Sequence, residues 1–313
     1  MKYKQEKNLC AIIFSKNRPL QLSLLLDSFY NQCLQPNSTD VYVIYNYDDE
    51  YEKSYKTLKK EQKDLGRNVN FVNEKLKNKK GIDFKRILLD IVLFKNNYNF
   101  VMFLVDDNIF TRKFNLFQIK SLLNTNSNHL GFSLRLGKNT DYCYPIGRKQ
   151  NIPNSLSFNA QFLLDNFQST IDNPDVFSFD WTNAEYDFNY PLEISSSIYR
   201  KNHIEYLLKN AEYNNPNSLE GLLSHYSSLF SFSTPMLFSY KTSVAFCAPM
   251  NKVQDTAPNN RFSGINIYSP RNMLKMYENG FRVDWKKFDG FISNACHQEV
   301  GLYTLEEFKE YDS

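Results

Sequence analysis

The sequence predicts an α/β protein organised on a doubly wound, mostly parallel sheet flanked by helices, and three observations carry that expectation. Short apolar runs alternate with helical patterns in the order β-α-β-α-β-α-β over the first third of the chain. Two of the runs, residues 9–14 and 100–105, are continuously apolar, as strands buried on both faces are. The run over 100–105 (Phe-Val-Met-Phe-Leu-Val) also stops abruptly at two carboxylates, Asp106 and Asp107. They follow the carboxyl end of a strand, the edge at which open α/β sheets bind ligands.

Adjacent, partly enclosed carboxylates repel each other and lose hydration, so the pair needs a compensating cation. A hard divalent ion bridging to a diphosphate meets that need. A solvated turn after a strand is the plainer alternative.

Taken in order, residues 9–14 (Leu-Cys-Ala-Ile-Ile-Phe) form the first strand, and Ser15, Lys16, Asn17, Arg18 and Pro19 the turn after it. Leu20, Leu22, Leu24, Leu25, Leu26 and Phe29 then fit an amphipathic helix with Pro19 in its first turn. A turn with two cations before a helix N-terminus suits a phosphate, although an ordinary βα loop has the same look. Residues 41–45 make the second strand, with Asp48 or Asp49 beyond its tip, where a carboxylate can bond a ribose hydroxyl or a base edge or can cap the helix over 51–64. Residues 68–73 alternate as a half-buried strand, and 83–94 read as an apolar helix.

Beyond Asp107 the pattern loosens. Helices are expected over 116–123, 203–211 and 270–280, and strands over 130–136, 194–200 and 246–249. The stretch 177–191 alternates rings and acids, including Asp180 and Asp187, and reads as a carbohydrate surface more readily than as core. A helix opening at residues 215–220 has Asn217 or Ser218 as cap and Glu220 in its first turn, where an acid completes a capping box.

Composition narrows the classes. With 313 residues the chain can bury a substantial core in one large domain or two small ones, and 37 basic against 34 acidic residues give only +3, too little to argue for nucleic acid. The 21 Tyr and 26 Phe supply rings suited to stacking on sugars or bases. Five cysteines lie far apart with no C-x-x-C pair, so neither a disulfide framework nor structural zinc is expected, and the reading is a reduced, cytoplasmic protein. The polar start, residues 1–7, has no apolar signal behind it and no run reaches the length of a membrane span.

Five stretches together resemble a known family: Phe14-Ser15-Lys16-Asn17-Arg18-Pro19-Leu20-Gln21-Leu22, Phe103-Leu104-Val105-Asp106-Asp107, Gly131-Phe132-Ser133-Leu134-Arg135-Leu136-Gly137, Tyr190-Pro191 and Asn215-Pro216-Asn217-Ser218-Leu219-Glu220. In this order they are similar to nucleotide-sugar glycosyltransferases of the GT-A (Rossmann-like) fold, and more closely to bacterial glycosyltransferase-like proteins related to glycosyltransferase family two. The resemblance runs from about residue 9 to about residue 300.

It implies a single domain over 1–313, with a nucleotide-binding half (1–110) and a smaller acceptor-side half (111–313). Ser15, Lys16, Asn17 and Arg18 would line the nucleotide, and Asp48 or Asp49 would lie near the base or ribose. Asp106 and Asp107 would occupy the metal motif, holding Mn²⁺ or Mg²⁺, with His297 completing the shell. The family motif is Asp-x-Asp and this chain has Asp-Asp-Asn, so Asn108 would be a neutral ligand at best. Glu220 would be the base of an inverting transfer, with Asp187 and then Asp180 in reserve, and Arg135 and Arg148 would offset diphosphate charge.

The implied activity is metal-assisted transfer of a sugar from a nucleoside-diphosphate sugar, a UDP-sugar favoured, to an acceptor hydroxyl of a glycan or lipid-linked acceptor in glycan or surface polysaccharide assembly. The chain would reach a membrane-linked substrate from the cytoplasmic side, by peripheral association if at all. Two other classes remain open. A sugar nucleotidyltransferase would use a similar sheet, but its early phosphate loop is glycine-rich and residues 15–19 contain none. An inactive GT-A-like binding protein is the other, with Asn108 as its main support.

Overall fold

The computed structural model describes residues 7–158, 175–254 and 261–311. The polar start read over 1–7 lies, except for Lys7, outside them. The first part of the chain runs β1 (Leu9–Lys16), α1 (Pro19–Gln32), β2 (Thr39–Asn46), α2 (Glu52–Asp64), β3 (Val69–Asn73), α3 (Glu74–Asn78), α4 (Phe84–Leu89), β4 (Phe100–Val105) and β5 (Asn108–Phe110). It continues with α5 (Leu116–Thr125), β6 (His129–Ser133), β7 (Tyr142–Cys143), β8 (Arg148–Lys149), β9 (Ser155–Phe158), β10 (Val176–Asp180), β11 (Ser197–Arg200), α6 (Lys201–Asn210) and α7 (Pro216–His225). Last come β12 (Met236–Tyr240), β13 (Ala245–Cys247), α8 (Pro270–Glu278) and α9 (Leu305–Tyr311).

Among the described residues nine strands form one sheet in the order β3-β2-β1-β4-β11-β6-β12-β10-β9. The block β3-β2-β1-β4 is parallel throughout, β6 and β12 pair in parallel, and β11 and β10 run against their neighbours. Seven of the nine strands therefore point the same way, and the expected α/β class with a mostly parallel sheet is what the chain forms. β13 pairs antiparallel with β5, just past the turn after β4, in a separate two-stranded sheet.

Both faces of the sheet are covered, which explains the unbroken apolar runs. Leu9, Ala11, Ile13, Val41, Val43, Met102 and Leu104 face α1, α2, α5 and α8. Their neighbours Cys10, Ile12, Phe14, Tyr42, Ile44, Val101 and Phe103 face α4, α6 and α7. Successive side chains on a strand point to opposite faces, so a strand between two helical layers must be apolar at every position.

Several expected elements shift. The single helix over 83–94 is α4 followed by a π-helical stretch, Asp90–Lys95. The strands over 130–136 and 194–200 shorten to β6 and β11. The ring-rich stretch 177–191 is not a surface: Phe177, Phe179, Trp181 and Phe188 are buried, with β10 paired on both sides. No described helix is long and apolar enough to cross a membrane.

Candidate active site

The carboxyl ends of the parallel strands open onto a cavity of about 780 Å³. Its floor is set by the turn after β4. Asn108, fully buried, accepts the Val105 N–H on its side-chain oxygen (2.8 Å) and donates to the Ser195 carbonyl (3.3 Å) and the Cys247 sulfur (3.1 Å). Asn108 thus closes the turn from beneath and is not a metal ligand, a correction to its place in the acidic motif. The turn it closes carries Asp106 and Asp107, both lining the cavity.

The compensating cation for that pair is Arg18. One of its terminal nitrogens donates to Asp106 Oδ1 (2.9 Å) and Asp107 Oδ2 (3.1 Å). Its Nε donates to Asn251 Oδ1 (2.9 Å) and its other terminal nitrogen to the Asn251 carbonyl. Asn251 is itself fixed by donating to the Tyr268 carbonyl (2.8 Å). Asp106 takes a further bond from the Lys16 N–H (3.1 Å), so both of its oxygens are occupied. Burial pushes Asp107 up to about 6, against the pull of Arg18, and the like charge on Asp106 adds to the rise.

The loop that presents Arg18 is held from behind. Ser15 shares a hydrogen bond with the Tyr55 hydroxyl (2.7 Å), which also accepts the Arg18 N–H (3.3 Å). Asn17 adopts the left-handed region, φ 54°, a conformation that asparagine tolerates. Its side chain donates to Asp48 (2.7 Å) and accepts the Asp48 N–H (2.9 Å). Asp48 is therefore spent on the loop and does not line the cavity, which corrects its expected place at the base or ribose. Asp49 is exposed and paired with Lys75.

In their place, the polar groups lining the cavity at the tips of β2 and β3 are Asn46 and Glu74. Sequence reasoning passed over both. Strand alternation points to Asn46, since Ile44 and Asn46 share a face.

The cavity is also lined by Glu220, Asp187, Arg135, Tyr190 and His297, the last bridged to Cys247, which pairs with Asn108 in the turn of the acid pair. Asn215 caps α7 by accepting the Ser218 N–H (2.9 Å), and Ser218 returns a bond from the Asn215 N–H (3.1 Å). The capping box is thus complete without an acid. Glu220 lies one turn further along than expected and is free of capping. It is half-buried and accepts the Ile194 N–H; burial raises its pKa, with Arg135 drawing it back down and Glu193 adding to the rise.

Asp187 is more fully engaged, bonded by Gln150 (3.2 Å) and by the thiols of Cys143 and Cys296. Asp180 caps a turn through Thr182 and Asn183, and neither it nor Arg148, which is exposed on β8, lines the cavity.

Arg135 is buried beside Glu193 (3.6 Å), with one terminal nitrogen unpartnered. Glu193, buried in turn, accepts the Ser195 N–H and the Ser197 hydroxyl, fixing a loop in which Ser196 sits at φ 107°. Burial, then the charge of Arg135, lowers the His297 pKa to about 3, so its ring is neutral with Nδ1 unpartnered.

A divalent ion fits these donors modestly. Among the described residues no three His, Cys, Asp or Glu side chains converge as a ready cage. Asp107, which gives one oxygen to Arg18, and the neutral His297 both face the cavity. An ion there would take one or two protein ligands and fill its shell with diphosphate oxygens and water, as Mg²⁺ does in phosphate sites.

The fold and cavity define a class, an α/β protein with a ligand crevice at the carboxyl edge of its parallel strands and an acidic pair at the centre. No family model matches the chain. It is 29% identical over 217 residues to the bifunctional glycosyltransferase pgtA of Dictyostelium discoideum, a match covering 65% of this chain and 25% of that protein. The chain thus spans about a quarter of the curated relative it matches.

Among solved structures it is similar to S. aureus TarS 1–349 in complex with UDP-GlcNAc (12% identity, TM-score 0.45, 90% of this chain and 69% of that one). It is also similar to the mannosyltransferase PcManGT from Pyrobaculum calidifontis in complex with GDP-Man and Mn²⁺ (10% identity, TM-score 0.42, 75% and 55%). Likenesses this distant say nothing of substrate.

Proposed function

We propose that the chain is a glycosyltransferase that moves a sugar from a nucleoside-diphosphate sugar to an acceptor hydroxyl with inversion. The observation that carries this reading is one cavity lined by two differently built acid sites: a pair locked by Arg18 after β4, and a half-buried, uncapped carboxylate, Glu220, on α7. Residues 1–110 would supply most of the donor side and 111–313 the acceptor side. The relative in Dictyostelium is named a glycosyltransferase, which agrees with the reading.

In this reading the donor diphosphate lies against Lys16, Arg18 and Asp107. A divalent ion held by Asp107 and His297 would supply Lewis-acid stabilisation of the departing diphosphate. Glu220 takes the proton from the acceptor hydroxyl as its oxygen forms a bond to the anomeric carbon, and the bond from that carbon to the diphosphate oxygen breaks. Burial makes Glu220 more basic and Arg135 opposes that rise, the balance a general base needs. Arg135, with an unpartnered N–H at the cavity, is suited to hold developing negative charge.

The turn that Asn108 closes explains a buried amide at that position, so the amide by itself does not favour the inactive binding protein. Five buried free thiols agree with a reducing compartment, and we propose a cytoplasmic enzyme acting on a glycan or lipid-linked acceptor.

The test is a thermal-shift panel of UDP, GDP, CDP and their sugars, with and without Mn²⁺, on wild type and Asp107→Ala. A ligand at a hundred times its Kd stabilises the fold by about 2.7 kcal/mol. A metal-dependent shift lost in the variant supports the reading; no shift with any nucleotide overturns it.

A further inference from the structure

The cavity continues past the acid pair along the sheet to the tips of β2 and β3. There Phe14, Ile44 and Phe84 make apolar walls, and Asn46 and Glu74 make a polar edge. Neighbouring strands lie about 4.8 Å apart, and three such steps separate β3 from β4, so Glu74 lies roughly 14 Å along the sheet from the acid pair. That span is comparable to the reach of a nucleoside diphosphate from its second phosphate to the far edge of its base.

Glu74 opens α3, and an acid there is usually explained by the helix dipole. That explanation is weak here. The helix has five residues, and its cap is already made by Asn73, whose side chain accepts the Leu76 N–H (3.0 Å). The Glu74 carboxylate is half-buried, and burial holds its pKa above the ordinary value despite hydrogen bonds from Asn78 and Asn46 and the charge of Lys16. The Asn46 oxygen accepts the Tyr47 N–H (2.9 Å), which turns its amide toward Glu74. The result is an oriented acceptor at the edge of an apolar slot.

We propose that Glu74 selects the nucleobase of the donor, accepting the ring N–H of a base in which that N–H adjoins a carbonyl, as in uracil and guanine. Cytosine and adenine present a bare ring nitrogen at the same edge, which meets the carboxylate lone pairs with no proton between. The apolar walls hold any flat base; the carboxylate distinguishes among them. This inference rests on the donor reading of the cavity.

The experiment is calorimetric titration of UDP, GDP, CDP and ADP into wild type, Glu74→Gln and Glu74→Asp, with the melting temperature of each protein measured alone as a check on folding. A hydrogen bond to a charged group is worth about tenfold or more in affinity. Wild type is expected to bind UDP or GDP at least about tenfold more tightly than CDP and ADP, and whichever binds names the base. Glu74→Gln should lose about tenfold for that nucleotide while holding or gaining for CDP, because its amide can donate to the bare ring nitrogen. Glu74→Asp, with the same charge withdrawn by one methylene, should weaken the same nucleotide and serves alone if the glutamine variant does not fold. An unchanged preference in both variants overturns the assignment, as does equal binding of all four by wild type, and either result leaves the donor reading standing. Binding of none overturns the donor reading and this inference together.

Discussion

The two acid sites that line the cavity handle buried charge in opposite ways. Over β1 and β4, Asp106 and Asp107 share one guanidinium, and that guanidinium is itself held by Asn251, so each charge is met at hydrogen-bond distance. On α7, Glu220 has one backbone partner among the described residues, the Ile194 N–H, and burial raises its pKa. A compensated charge builds and positions; a carboxylate kept basic and under-partnered can take a proton. That division of labour ranks Glu220 above Asp187, whose carboxylate is tied by Gln150 and two thiols.

The comparison breaks most sharply at Glu220. Glu220→Gln is expected to cut transfer by about 10² to 10⁴. In wild type the activity should fall as pH drops through the Glu220 pKa, which burial sets above 4.5, and the variant should lose that limb. The stability effect has the opposite sign. A carboxyl whose pKa is raised on folding favours the native state below its unfolded value and loses that contribution as pH rises through the folded one. Glu220→Gln should therefore melt no lower than wild type at neutral pH, and higher if the buried charge is costly.

Arg18→Met tests the other acid site. Removing one partner of a buried ion pair strands the remaining charge, so the variant should lose about 3 to 5 kcal/mol in urea unfolding at neutral pH. Part of that loss should return at mildly acidic pH as Asp107, which burial pushes up to about 6, takes a proton. An unchanged midpoint would mean that the pair needs no guanidinium.

Asn108→Asp sharpens the contrast, because it restores the second acid of the Asp-x-Asp motif. If residue 108 faced the metal, Mn²⁺ affinity would rise. Since the Asn108 amide donates inward to Ser195 and Cys247, the account expects no gain in Mn²⁺ affinity and a loss of about 1 to 3 kcal/mol. The smallest effect is at Ser196, buried at φ 107° with its hydroxyl unpartnered. Ser196→Gly should be neutral or stabilising by about 1 kcal/mol in urea unfolding, because glycine adopts that region without strain.

These residues also mark what the chain makes legible. Strands β1 and β4 could be read from their composition, because burial on both faces is a local demand on every residue. The acid pair could be read for the same reason, as the abrupt end of such a run. Its partner could not: Arg18 lies 88 residues from Asp106, and only the parallel pairing of β1 with β4 brings the two strand tips together.

Asp48 was sought at the right strand tip, but its bonds to Asn17 are a loop contact without a sequence signature. Asn46 was one alternation step from legible. The helix that carries Glu220 is legible while its cap is not, since Asn215, Asn217 and Ser218 all have capping side chains and the backbone chooses among them. The ring-rich stretch 177–191 misled because an edge region of a wide sheet buries rings without a clean period.

The most direct measurement follows donor binding and sugar transfer side by side, with one nucleotide sugar, on wild type, Asp107→Ala and Glu220→Gln. The account predicts that Asp107→Ala loses donor affinity and transfer together, whereas Glu220→Gln keeps wild-type donor affinity and loses transfer. Donor binding that survives Asp107→Ala, or transfer at the wild-type rate by Glu220→Gln, would contradict it.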